Sequence, residues 1–258
     1  MRTNRLMDLT ADGRVAVGLG LSFNAPDLVE FGGLLGFDFI FFDGEHGGVT
    51  AETCRELQRA ADLVAVETIV RVPHNDGPTI GRYLDVGAWN LIVPHVRSAS
   101  DAEAAVRGAS FAPRGNRGAA SGTTAARFGV TQTPVEYFER ANDQVVVIPM
   151  IEDVEALAAL DQIARVDGIR AAFVGAQDLS LSMGKPGRTN DPDVRAAADR
   201  AIRSLRAAGL VVGAPAGDSD EAQRVIDLGA QLIVVFSPTL LAREARRYLE
   251  SVRTSLVG

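Results

Sequence analysis

Short apolar runs alternate with amphipathic stretches of helical period along the whole chain, and the pattern repeats eight times. The runs are Val15–Phe23, Phe37–Phe42, Thr68–Val72, Leu91–Val96, Val145–Ile151, Ile169–Val174, Leu210–Ala214 and Leu232–Phe236. They are nearly continuous in apolar residues rather than alternating, as parallel strands covered on both faces require. Helical stretches such as Ala51–Val64, Ala102–Ala109, Val154–Ala164, Val194–Ala208 and Glu221–Leu228 lie between them. Eightfold alternation predicts an α/β fold, a closed (β/α)8 TIM barrel rather than an open doubly wound sheet. Such a barrel takes about 250 residues, so the expectation is one domain over residues 1–258.

Local chemistry agrees. Gly36, Gly87, Gly209 and Gly229 each close a helical stretch just before a strand, where glycine takes the left-handed conformation that ends a helix. Asp218 with Glu221 reads as a capping box. Phe111–Thr133 is a long segment rich in Gly, Ala, Thr and Arg, and loops of that length are usually functional or mobile. The last helix, Thr239–Leu256, carries an apolar stripe through Leu241, Ala245, Tyr248 and Val252.

A formal net charge of −7 and the lack of any dense Lys/Arg run argue against a nucleic-acid partner. Met1 to Val15 has no apolar core of signal-peptide length, and no run approaches the roughly 20 residues that span a bilayer. With the single cysteine, Cys54, these features predict a soluble cytoplasmic protein. Cys54, Tyr83 and Trp89 read as packing residues.

Barrel enzymes place their chemistry at the C-terminal ends of strands. Here strand two ends in Asp43-Gly44-Glu45-His46, strand three in Arg71, and strand five in Glu152-Asp153, while strand six runs into Gly175-Ala176-Gln177-Asp178. Charges that continue buried strands are costly unless paired or bound to something. Glu152 and Asp178 follow consecutive strands, so their carboxylates can converge on a hard cation such as Mg2+, Mn2+ or Co2+. Equally, one can pair with Arg71 and the other cap a helix. Arg71 suits either an oxyanion or a structural ion pair. His46 suits a general base or a residue held behind the site, with Asp43, Glu45 and Asp85 each able to orient it. His74 and His95 read as wall or loop residues.

The segment Phe39-Ile40-Phe41-Phe42-Asp43-Gly44-Glu45-His46-Gly47 resembles the Asp-x-Glu-His segment of the class II, metal-dependent pyruvate aldolases. That family includes 4-hydroxy-2-oxoheptanedioate and 2-dehydro-3-deoxyglucarate aldolases, with citrate lyase β-type CoA-ester lyases as wider relatives. The similarity continues through Arg71-Val72-Pro73, Tyr83-Leu84-Asp85-Val86-Gly87, Val93-Pro94-His95-Val96, Pro113-Arg114-Gly115-Asn116-Arg117-Gly118, Ile151-Glu152 and Val174-Gly175-Ala176-Gln177-Asp178-Leu179-Ser180. The resemblance implies Glu152 and Asp178 as metal ligands, Arg71 as enolate stabiliser, and His46 as base with Asp85 as its dyad partner. It implies that Gly175, Ala176, Gln177 and Asp178 present backbone N–H groups to the pyruvate carboxylate. It also implies a last helix exchanged between subunits of a homo-oligomer, usually a hexamer.

Three positions depart from the family pattern. Met150 stands where the aldolases usually have a substrate-touching glutamine, Gly20 where some carry a tryptophan, and His74 where an aromatic ring is common. The expected activity is reversible cleavage of a 4-hydroxy-2-oxo acid to pyruvate and an aldehyde, which needs no Schiff-base lysine. Lys185, the only lysine, follows strand six in a loop. The alternatives are a lyase acting on a CoA thioester and a barrel that binds oxo acids without turnover.

Overall fold

The computed structural model describes residues 3–255. Its strands are β1 (Ala16–Leu21), β2 (Phe39–Asp43), β3 (Glu67–Arg71), β4 (Asn90–Val93), β5 (Val146–Ile151), β6 (Ala171–Val174), β7 (Val211–Pro215) and β8 (Leu232–Phe236). Each pairs in parallel with the next and β8 pairs with β1, closing the barrel. Every strand overlaps the apolar run that predicted it.

The runs separate into two layers on folding because successive side chains leave a strand on opposite faces. In β2, Phe39 and Phe41 join the interior cluster with Ile69, Ile92, Ile148, Met150 and Phe173. Ile40 and Phe42 join the outer cluster, between the barrel and its helices. Large rings inside sit against glycines. A Cβ added to Gly18 would overlap the Phe39 ring, and one on Gly213 would overlap Phe173. On Gly20 it would come within 2.6 Å of the Phe236 ring. Interiors packed at crystal-like density leave no slack for such an addition.

At the end where the strands begin, the barrel is closed by the N-terminal segment. Leu6, in helix Leu6–Leu9, is fully buried in the interior cluster. Asn4 donates through its side chain to Asn90 Oδ1 at 2.7 Å and to the Gln144 carbonyl at 2.6 Å. Beside it, Glu67 is 1% exposed. It accepts from the backbone N–H of Arg5 at 3.1 Å, that of Thr68 at 3.3 Å, and the Asn90 amide at 3.3 Å.

The glycine stops hold: φ is +95° at Gly36, +108° at Gly87, +88° at Gly209 and +106° at Gly229. Only half of the expected capping box forms. Asp218 accepts from Glu221 N–H at 2.8 Å, but the Glu221 carboxylate turns to Arg224 and Arg195. The predicted helix Val154–Ala164 is two short ones, Val154–Ala158 and Leu160–Ala164, meeting at a non-helical Ala159. The final helix is Ser237–Ser255, and it leaves Leu241, Tyr248, Leu249 and Val252 exposed. Leu256, the expected last residue of that helix, lies outside the described residues. Cys54 is buried in helix Ala51–Leu63, and burial pushes its thiol up to about 12, so it packs rather than reacts.

Candidate active site at the C-terminal rim

Strand register creates the centre of the site. β2 pairs with β3 so that Asp43 lies beside Arg71. Arg71 Nε donates to Asp43 Oδ1 at 2.9 Å and Nη2 to Oδ2 at 2.6 Å, a bidentate fork. Arg71 Nη1 lies 3.0 Å from Glu45 Oε2, and its acceptor is the Met150 sulfur at 3.8 Å. Sulfur is a weak acceptor, so, apart from its ion pair with Glu45, Nη1 is the donor left for an oxygen in the pocket. Burial raises the Asp43 carboxyl, but the hydrogen bond and charge of Arg71 outweigh it and hold the group below its ordinary value. Asp43 therefore anchors Arg71. It also accepts from the backbone N–H of His46 and of Glu45, each at 3.1 Å, which shapes the turn after β2.

Around this fork opens a pocket of about 650 Å³. Asp43, His46, Arg71, Met150, Gly175, Ala176, Gln177 and Asp178 all line it, as expected for a (β/α)8 barrel. Gly175 N–H is already given to the Ile151 carbonyl at 3.0 Å, which corrects its expected part in anion binding. The amides of Ala176, Gln177 and Asp178 open helix Ala176–Ser182 and have no acceptor within its first turn. The Asp178 carboxylate has neither a hydrogen-bond nor an ion-pair partner among the described residues.

Glu152 sits behind the rim, fully buried. Its Oε1 accepts from the backbone N–H of His95 at 2.8 Å, while its Oε2 is shielded from solvent with no partner among the described residues. Burial pushes the carboxyl up to about 7, with the charges of Glu45 and Asp178 adding to the rise and His95 opposing it. A Cβ on Gly175 would come 3.1 Å from Glu152 Oε2 and 2.5 Å from Met150 Cε, so only glycine leaves Oε2 its space.

His95 is more than a wall residue. It takes φ +52° immediately after β4, unusual for a residue with a side chain. Its Nδ1 meets Asp153 Oδ2 at 3.1 Å, and its Nε2 stands 3.6 Å from Glu45 Oε1. Burial works against its protonation, but the Asp153 hydrogen bond and the neighbouring carboxylates prevail and raise it. The ligand atoms of His95, Glu152 and Asp153 lie within 4.8 Å of one another, a possible acidic metal site. Sequence reading named Glu152 and the charged end Glu152-Asp153 of strand five, but took His95, two residues past Val93, for a wall or loop residue.

Of the carboxylates expected to orient His46, Glu45 lies near it and Asp85 does not within one chain. His46 is exposed, with Glu45 the nearest carboxylate at 3.9 Å. Asp85 does not approach it within the chain. Asp85 ends helix Gly77–Asp85, which runs back toward the end where the strands begin, and its Oδ1 accepts from Arg117 Nη2 at 2.7 Å. Arg117 also donates to the Tyr137 hydroxyl at 3.1 Å and stacks 4.4 Å above Phe111, so it pins the long loop to Asp85. The ring space over Gly20 is filled from β8 by Phe236, which lines the pocket with Phe173.

Comparison with known proteins gives the family of the chain. The chain is 37% identical over 243 residues to a 4-hydroxy-2-oxo-heptane-1,7-dioate aldolase of Klebsiella pneumoniae, covering 94% of this chain and 91% of that one. It is 34% identical over 242 residues to a hydroxypyruvate/pyruvate aldolase of Sagittula stellata, covering 94% of each. A solved HpcH/HpaI aldolase/citrate lyase family protein from Burkholderia cenocepacia superposes with a TM-score of 0.91 at 33% identity, covering 97% of this chain and all of that one. The model of that family matches residues 17–243. The chain belongs to the HpcH/HpaI aldolase/citrate lyase family.

Proposed function

We propose that the protein is a carbon–carbon lyase that cleaves a 4-hydroxy-2-oxo acid reversibly to pyruvate and an aldehyde. One observation carries the reading. A rigid guanidinium with Nη1 turned to the pocket stands close to a buried carboxylate whose Oε2 has no partner among the described residues. Cleavage beside a ketone leaves an enolate, and this arrangement supplies positive charge where that oxygen develops.

The donor set fits a divalent cation. An unpaired buried carboxylate drifts toward its neutral form, and a bound cation holds it ionised. Glu152 Oε2 and Asp178 are the free donors, whereas His95 and Asp153 already hold each other and Asp153 also meets Arg97 at 3.2 Å. We therefore assign Glu152 and Asp178 as the ligands, for Mg2+, Mn2+ or Co2+. When bound, the ion supplies Lewis-acid polarisation of the C2 carbonyl.

The chain's own residues do the rest. The amides of Ala176, Gln177 and Asp178 receive the substrate carboxylate. His46 removes the C4 hydroxyl proton, the C3–C4 bond breaks to release the aldehyde, and Arg71 Nη1 donates to the enolate oxygen. Asp43 keeps the guanidinium still while this happens. Phe173, Phe236 and Met150 form an apolar side that excludes water. Arg71 is the one arginine on the pocket lining, so a CoA thioester finds no basic cluster for its phosphates there.

A homo-oligomer belongs to this reading. Exposed Leu241, Tyr248, Leu249 and Val252 favour packing of the last helix on a second copy, and Asp85 can serve His46 only from a neighbouring copy. The free, buried Cys54 fits the cytoplasmic setting of this reading; no helix among the described residues is long and apolar enough to cross a membrane. Pyruvate release from a 4-hydroxy-2-oxo acid, followed before and after chelation, tests the proposal. Release that stops with chelation and returns with Mg2+ or Mn2+ is expected, and full activity without metal would overturn it.

A further inference from the structure

Away from the barrel mouth lies a second cavity of about 300 Å³, which shares no lining residue with the catalytic pocket. Helix Ala51–Leu63, the turn after Asp85 and the segment 124–131 wall it, with Trp89 and Arg140 facing in. Its lining carries four arginines, Arg55, Arg59, Arg127 and Arg140, against one carboxylate, Asp62. Arg55 and Arg59 both meet Glu56, at 3.4 and 3.1 Å.

Arg140 is different. Its Nε and Nη1 are cut off from solvent and meet no acceptor among the described residues. The guanidinium lies 5.6 Å from the centre of the Trp89 ring. Burial lowers its affinity for its proton, Tyr137 opposes this, and the like charge of Arg127 adds a smaller lowering. Buried N–H groups without acceptors and adjacent like charges are both unfavourable, and an anion bridging the two guanidinium groups relieves both. A planar fork of N–H donors matches the oxygens of phosphate or carboxylate.

We propose that this cavity is a binding site for a small oxyanion, the phosphate or carboxylate group of a soluble metabolite, clamped by Arg140 and Arg127 against the Trp89 indole. Its volume admits a compact ligand only. The bound group would tie segment 124–131 to helices Ala51–Leu63 and Pro134–Gln144.

Trp89 is the only tryptophan in the chain, so intrinsic indole fluorescence reads this cavity alone. The full-length protein with Mg2+ is titrated with inorganic phosphate and, separately, with succinate, at ionic strength held constant by sodium chloride. A saturable change with at least one of the two, and none with chloride, is expected; the anion that saturates lower identifies the source of the oxygens. Arg140→Gln should weaken binding about tenfold or more. If circular dichroism shows that variant misfolded, exposed Arg127→Gln decides in its place, with the same loss expected. No saturable change with either anion, or an undiminished one in the deciding variant, overturns the proposal.

Discussion

Each end of this barrel buries a glutamate, and the two are treated in opposite ways. Glu67, where β3 begins, receives N–H groups from Arg5, Thr68 and Asn90, and both its oxygens are engaged. Glu152, just past β5, has an Oε2 without a partner among the described residues, and burial pushes its carboxyl up to about 7. Buried polar atoms are normally satisfied, so the end that satisfies them is built for cohesion. The end that leaves them open is reserved for something that arrives later. Arg71 belongs to the second end although Asp43 grips it, because Nη1 faces the pocket, where it meets Glu45 Oε2 at 3.0 Å and the Met150 sulfur.

The sharpest way to break this contrast is to neutralise Glu152. Glu152→Gln should remove divalent-metal binding by calorimetry and lower kcat by more than about 100-fold, with the fold intact by circular dichroism. Retained metal affinity would place Glu152 with Glu67 as a structural carboxylate. Arg71→Ala should lower kcat by roughly 100- to 1,000-fold, more than it raises KM. Arg71→Lys, which keeps the charge and loses the fork, should recover only part of it. Unchanged kcat in Arg71→Ala would make the Asp43 pair purely structural.

The pH dependence of stability separates the two ends next. The folded-state affinity of Glu152 for its proton is raised, so the folded protein binds more protons than the unfolded chain between the ordinary glutamate range and pH 7. Stability from this group is thus complete at low pH and lost as pH rises through about 7. His95, also raised, acts in the same direction. Denaturant melts of metal-free protein should show a decline from pH 5 to 8 on the order of 3 kcal/mol, reduced in Glu152→Gln to the part that His95 supplies and offset by Mg2+. A flat profile in the wild type would mean that Oε2 is solvated. At the other end, Glu67→Ala strands three N–H donors and should cost about 1–3 kcal/mol of stability, while kcat of the folded fraction stays put. Smallest is Met150→Gln, which adds one neutral hydrogen bond worth about 0.5–1.5 kcal/mol. It should shift kcat/KM toward polar aldehydes by about tenfold or less. Identical rankings over a series of aldehydes would remove Met150 from substrate choice.

The satisfied end is the one that sequence reading left unseen. Strands were legible because burial on both faces writes a continuous apolar run, and the rim residues because they interrupt such runs with charge. Glu67 also interrupts one, but at its start, where nothing in the sequence separates a buried acid from an exposed one. The Asp43–Arg71 fork was one of several pairings open to those residues, since it depends on the register of β2 against β3. His95 with Asp153 depends likewise on how the ends of β4 and β5 come together. Asp85 stands away from the His46 of its own chain for a geometric reason. A nine-residue helix carries its last residue back along the barrel by about 1.5 Å per residue, away from the rim. Its partner Arg117 lies in a loop whose path no periodicity encodes.

The rings set against glycines inside the barrel bear on how this pocket can change over generations. Phe236 fills the volume over Gly20, and the two belong to strands that are not neighbours in the chain but are joined where the barrel closes. A bulky residue arriving at position 20 alone collides with the ring, and a small residue arriving at 236 alone leaves a hole beside the substrate. Each single step lies in a fitness valley, so the floor of the site can be retooled only by exchanging the pair. Across homologues, positions 20 and 236 should therefore trade size, one large where the other is small.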